Sequence, residues 1–125
     1  MGYRSQVLYK VAKESQPFLL MYQLQHPKDW AYIVAEFYPE VKTDDPNSSY
    51  CFRMHAEDIK WYEGYKDIDL FTTFMNFMAD KEDTSAEAPM AAVFIRIGED
   101  DDDITANYVG DSYELAHVYS GIEED

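Results

Sequence analysis

Asp67-Ile68-Asp69-Leu70-Phe71-Thr72-Thr73-Phe74-Met75-Asn76-Phe77-Met78-Ala79-Asp80 is the stretch that decides the fold. Ile68, Phe71, Phe74, Met75 and Met78 recur at intervals of three and four residues, the spacing that lines one side of an α-helix. Asp67 stands where a cap belongs, and Gly64 interrupts the pattern before it. So apolar a stripe must be buried against another element, and the flanking stretches both read as strands. Upstream, Tyr50, Phe52, Met54 and Ala56 share one parity, whereas Ile59 and Trp61 fall on the other. That flip signals a β-bulge near Glu57-Asp58, a strand that ends there, or a strand covered on both faces. Downstream, Lys81 to Pro89 is a polar loop, and Ala91 to Ile97 is a strand with Val93, Ile95 and Ile97 on one face. Gly98 to Asp103 must turn, because five consecutive acids repel one another.

Further out, Tyr3, Ser5, Val7, Tyr9 and Val11 alternate with Arg4, Gln6, Leu8, Lys10 and Ala12, which reads as a half-buried strand. Ser15 and Pro17 mark a helix start, with Phe18, Met21 and Tyr22 as its apolar side and Leu24 as a further candidate; His26-Pro27 ends it. Asp29 offers a second cap before Trp30, Ile33, Val34 and Phe37, and Pro39 closes that helix. Residues 42–49 form a loop. Ile104 to Val109 is assigned to no element, Tyr113 to Tyr119 reads as a last strand, and residues 120–125 read as a frayed acidic tail. The element order β-α-(α)-β-α-β-β has too few crossovers for a doubly wound sheet. It predicts one domain over residues 1–125 of α+β class: two layers, with a mostly antiparallel sheet carrying helices on one face.

The chain has 125 residues, of which 46% are hydrophobic and 16% aromatic, so a sizeable core is expected. No apolar run approaches the ~20 residues of a membrane span. Met1-Gly2-Tyr3-Arg4-Ser5-Gln6 lacks the basic and apolar regions of a signal peptide, which leads to a cytoplasmic expectation. A single cysteine, Cys51, rules out an internal disulfide and a cysteine-only zinc site. The abnormal quantity is charge, with 25 acids against 10 bases and a net −15. Residues 1–62 hold eight acids and seven bases, net −1, whereas residues 63–125 hold seventeen acids against Lys66, Lys81 and Arg96, net −14. Direct nucleic-acid binding and an anionic membrane are disfavoured by that imbalance. A basic partner, a cation or plain solubility is favoured.

The motifs that carry enzymatic or metal chemistry are weak. Counted from Asp100, the run Glu99 to Asp103 fails the calcium-loop pattern, because Ile104, Thr105 and Asp111 fill the fifth, sixth and twelfth places. His26, His55 and His117 are scattered without i, i+4 spacing, and Cys51 opens a strand as a core residue would. No phosphate loop or catalytic triad order is present. Neither an enzyme nor a cofactor or metal is expected. Trp61-Tyr62-Glu63-Gly64-Tyr65 reads chiefly as a strand end packing rings over the next helix, with an interface hot spot as the other reading.

Three stretches taken together resemble a group of small, mostly uncharacterised bacteriophage and prophage proteins. They are Met1-Gly2-Tyr3-Arg4-Ser5, then Ile59-Lys60-Trp61-Tyr62 before a short helix, then Phe94-Ile95-Arg96-Ile97-Gly98-Glu99-Asp100 with Asp102-Asp103-Ile104. The helix over Asp29 to Tyr38 and the loop before Tyr50 look like additions to that pattern. The resemblance implies a phage origin and a bacterial host cytoplasm, and it brings no catalytic residues.

Charge and resemblance lead to a binding protein that inhibits a host nucleic-acid-handling defence protein, such as a CRISPR effector, nuclease, restriction enzyme or repressor, by imitating the charge of nucleic acid. B-DNA shows one charge per ~1.7 Å of axis. The expected contact residues are Asp67, Asp69, Asp80, Glu82 and Asp83 around the helix, and Glu99, Asp100, Asp101, Asp102 and Asp103 in the turn. The partner would be a basic protein surface. The alternative is a small adaptor or regulatory protein, as a homodimer in one form, that binds through its aromatic surface while the acids serve solubility.

Overall fold

The computed structural model describes residues 4–42, 45, 47–61, 64–81, 90–98, 103–110, 116–118 and 122–124. The chain runs β1 (Ser5–Ala12), a 3₁₀ turn (Lys13–Ser15), α1 (Gln16–Gln25), α2 (Pro27–Phe37), β2 (Glu40–Val41), β3 (Tyr50–Ile59), α3 (Lys66–Ala79), β4 (Ala92–Ile97), β5 (Ile104–Val109), β6 (Ala116–Val118) and β7 (Ile122–Glu124). Five strands form an antiparallel sheet in the order β2-β3-β1-β4-β5, and β6 pairs with β7 in a separate ladder. This is the expected α+β class. Among the described residues no helix is long and apolar enough to cross a membrane.

The central strand β1 is buried on both sides, and its two parities meet different layers. Val7, Tyr9 and Val11 join the main core, where Phe18, Leu19, Tyr22, Ile33 and Phe37 of α1 and α2 meet Ile68, Phe71, Phe74 and Met78 of α3. Leu8 and Ala12 face the other way, into a smaller cluster with Val93, Ile95 and Ala116 of β6. The expected stripe Val93, Ile95 and Ile97 therefore lies away from the helices, and Phe94 with Ala92 forms the part of β4 that faces them.

Two register shifts shape β3. One lies between the pairs Ser5 with Ile59 and Val7 with Ala56, and Asp58 there adopts φ 54°. This is the bulge expected near Glu57-Asp58. By inserting one extra residue it returns Ile59 and Trp61 to the side of Phe52, Met54 and Ala56, so all five pack on the helix layer. The second shift lies between the pairs Val11 with Phe52 and Ala12 with Tyr50. It turns Cys51 into the main core, while Tyr50 faces Ala12 and the Lys10 ammonium stands 4.8 Å from its ring. The expectation that Tyr50 shares a face with Phe52 is corrected by that shift.

Several boundary expectations are also corrected. Asp67 is not the cap of α3: Tyr65 holds that position, and Asp67 and Asp69 lie in the first turn, where the helix dipole favours acids. Asp69 Oδ1 accepts the Gly64 N–H at 2.8 Å, tying the incoming chain to the helix. In α2 the helix begins at Pro27, which needs no N–H partner, and Asp29 sits within its first turn. Ser15 precedes α1, but its Oγ accepts the Ala91 N–H at 2.8 Å instead of capping the helix. Leu24 is 83% exposed and Leu19 takes its place in the core. Ile104–Val109, left unassigned from sequence, is an edge strand paired along the whole of β4. The last strand is described only over Ala116–Val118, and its partner Ile122–Glu124 lies where a frayed tail is expected.

Phe74 meets Tyr9, Tyr22, Trp30, Phe52 and Phe71 with ring centroids between 4.7 and 6.2 Å apart and is fully buried. Phe74→Ala should cost ~3–5 kcal/mol in denaturant unfolding, because rings from five elements cannot all close on the void. A loss under about 1 kcal/mol would contradict this core.

Candidate functional site

Three helices cover β1 and β3, but the sheet continues past α3 into β4 and β5. Opposed residues of an antiparallel pair share a face, so the pairs Ala92 with Val109, Phe94 with Asn107 and Arg96 with Thr105 put six side chains on the helix side. α3 borders this strip with Thr72, Met75, Asn76 and Ala79, which follow one another at helical spacing along its flank. Between them lies a groove of about 640 Å³, which Tyr9 and Trp61 also line. That volume falls within the usual ~300–1,000 Å³ of small-molecule sites.

One end of the groove is fixed by a charged clasp. Arg96 Nη2 donates to Asp103 Oδ1 at 2.7 Å, and Nη1 donates to Asp103 Oδ2 at 3.3 Å and to Ser5 Oγ at 3.1 Å. The Gly98 N–H donates to the Asp103 carbonyl at 2.8 Å, closing the β4–β5 turn beside it. A forked, two-point Arg–carboxylate contact is the stronger and more directional kind of ion pair. Trp61 stands against Phe94 at 5.7 Å and Phe71 at 5.9 Å. Its packing on α3 matches the reading of this segment as a strand end covering the next helix. Ser5, Arg96 and Asp103 thus meet at this end of the groove.

The acids expected to bind a partner are distributed differently. Asp69 and Asp80 are exposed and Asp67 is half-buried. Asp67 and Asp69 mark the start of α3, and Asp80 follows its end. At 1.5 Å per residue the two ends are ~20 Å apart. Asp103 is drawn into the clasp. Glu82, Asp83, Glu99, Asp100, Asp101 and Asp102 lie outside the described residues. Residue patterning missed the groove because Thr72 and Asn76 look like the wet side of α3, and Thr105 and Asn107 like the polar side of a stretch left unassigned. Arg96 was the available signal: a base inside an apolar strand, with an acid seven residues on across a turn.

Among the described residues no three His, Cys, Asp or Glu side chains stand close enough to hold a metal ion. His26 is exposed and packs beside Tyr22 and Phe77, and His55 Nε2 lies 3.2 Å from Gln6 Nε2. Cys51 is fully buried, its Sγ donates to the Ala12 carbonyl at 3.4 Å, and burial pushes the thiol up to about 12. Burial, helped by the charge of Asp29, likewise pushes Tyr22 up to about 12, and its hydroxyl has no partner among the described residues. Burial also pushes Tyr9 up, with Cys51 adding to it, so the phenol that borders the groove remains a neutral hydroxyl. Compared with known family models, curated proteins and solved structures, the chain matches none.

Cys51 and Tyr22 keep their protons in the folded chain above the pH at which an unfolded chain releases them. Their contribution to stability is therefore complete below about pH 9 and is lost as pH rises toward 12. The urea midpoint should hold up to about pH 9 and fall beyond it. A midpoint that stays level to pH 12 would contradict the burial of both groups.

Proposed function

We propose that this chain is a non-catalytic binding protein of phage origin that occupies the basic surface of a host protein handling nucleic acid, and so inhibits it. The observation that carries this reading is the charge split, with −14 of the net −15 in residues 63–125. The exposed acids Asp69 and Asp80 at the two ends of α3, ~16 Å apart along the helix, span a distance over which DNA presents several phosphates. A rigid helix on a packed core holds such charges at fixed spacing, so the partner would not have to order them on binding. Asp103 does not belong to the contact set, because Arg96 already neutralises it. The remaining acids of that turn, Glu99 to Asp102, stay in it. Such a charged surface would speed association and lose strength as salt rises.

A second reading, a small adaptor that docks through an aromatic surface, is favoured by one observation: Trp61 and Phe94 wall an open groove with a volume of about 640 Å³. Salt separates the two, because an aromatic contact persists at ionic strengths that screen a charged one.

Asp100→Asn, Asp101→Asn and Asp102→Asn in one variant remove three charges and keep side-chain size, while Asp103 stays to hold Arg96. Against a basic partner captured from bacterial lysate at low salt, the association rate should fall several-fold and the thermal midpoint should hold. Excess duplex DNA should compete with the wild-type chain for that partner. An unchanged association rate together with no competition from DNA would overturn charge mimicry and leave the adaptor reading standing.

A further inference from the structure

The groove beside α3 differs in kind from the rest of this acidic chain. Among the described residues its lining has two charged side chains, Arg96 and Asp103, and these are joined to each other at 2.7 Å. In a molecule of net −15 the described part of the groove wall is thus close to neutral. An anionic ligand would find the Arg96 guanidinium already engaged and the surrounding field repulsive. A cation would find the Asp103 carboxylate forked onto Arg96. An uncharged ligand meets neither obstacle.

The remaining lining combines ring surface with neutral hydrogen-bonding groups. Trp61 is only partly buried and meets Phe94 at 5.7 Å with 38° between the ring planes, so together they form an aromatic wall. Asn76 on α3 and Asn107 on β5 are both exposed and border the groove from its two sides. A carboxamide offers a donor pair and an acceptor at once, the complement of a base edge that carries both. Tyr9, 3% exposed, adds a hydroxyl at the groove that can donate or accept.

We propose that the groove binds an uncharged nucleoside, its base stacked on Trp61 and its hydrogen-bonding edge read by Asn76 and Asn107. Stacking on an aromatic side chain tolerates every base because each has a π-face. Discrimination among bases falls to the two amides. The free phosphates of a nucleotide or a nucleic-acid strand are disfavoured by the field of the chain, so the nucleoside is the form taken up. This inference does not depend on the charge-mimicry reading, since its residues lie outside the proposed acidic contact set.

The experiment is a titration of the full chain, labelled for amide and indole NMR, with adenosine, guanosine, cytidine and uridine in turn, with ribose and adenosine monophosphate as further probes. The expected result is saturable shifts of the Trp61 indole and the Asn76 and Asn107 side-chain amides with at least one nucleoside, none with ribose, and weaker binding of the monophosphate than of adenosine. Asn107→Ala and Asn76→Ala should each weaken the best nucleoside about tenfold, as loss of one hydrogen-bonding group does, while thermal stability is unchanged. Trp61→Leu should abolish binding; because it can also loosen the core, the two Asn variants carry the decision. No shift at these three residues at millimolar nucleoside, equal binding of ribose, or tighter binding of the monophosphate would each overturn the proposal.

Discussion

The packing of Phe74 and Phe71 against Tyr9 and Phe52 is the contact on which the rest of the structure depends. Tyr9 meets Phe52, Phe71 and Phe74 at 5.7–5.9 Å with 63–86° between planes, the edge-to-face geometry that ring quadrupoles prefer. Those four rings come from β1, β3 and α3, so one cluster fixes a helix across the two middle strands. α1 and α2 then add Tyr22 and Phe37 around its edge. Hydrophobic burial would hold these elements together in many arrangements; ring geometry narrows them to one.

The groove is a consequence of that placement. With α3 held over β1 and β3, the helix-side face of β4 and β5 borders the groove instead of lying beneath α3. The bulge at Asp58 decides what stands at its wall. Without the extra residue, Trp61 would fall to the other face of the sheet, away from Phe94 and Phe71, and the aromatic wall would be lost. The Arg96–Asp103 clasp then pins the turn between β4 and β5 to Ser5 at the start of β1, so the edge strand cannot slip against its neighbour.

The helix α3, the strands β1 and β4 and the flip of parity before Trp61 could all be read from residue order, because each rests on a local period. The bulge was one of three readings of that flip; pairing with β1 selects it. What could not be read depends on pairing between distant segments. β5 is an exposed edge strand whose register comes from β4, and β7 is three residues long and exists by its pairing with β6. The faces of β4 were ambiguous for a related reason: both parities are apolar because both sides of that strand are covered. Acid counts pointed to one charged patch, whereas the fold separates Asp67 and Asp69 from Asp80 by the length of α3 and commits Asp103 to Arg96. The groove was hidden because its polar residues are ordinary in sequence and become a site only when a helix flank and a strand face are set opposite each other.

Magnetisation transfer between the Trp61 indole and its neighbours tests this account most directly. The bulge and the ring cluster together predict strong nuclear Overhauser contacts from Trp61 to the rings of Phe94 and Phe71, which lie 5.7 and 5.9 Å away between centroids. Absence of both contacts would take Trp61 off the helix-side face of the sheet, and the bulge, the groove and its aromatic wall would fall together.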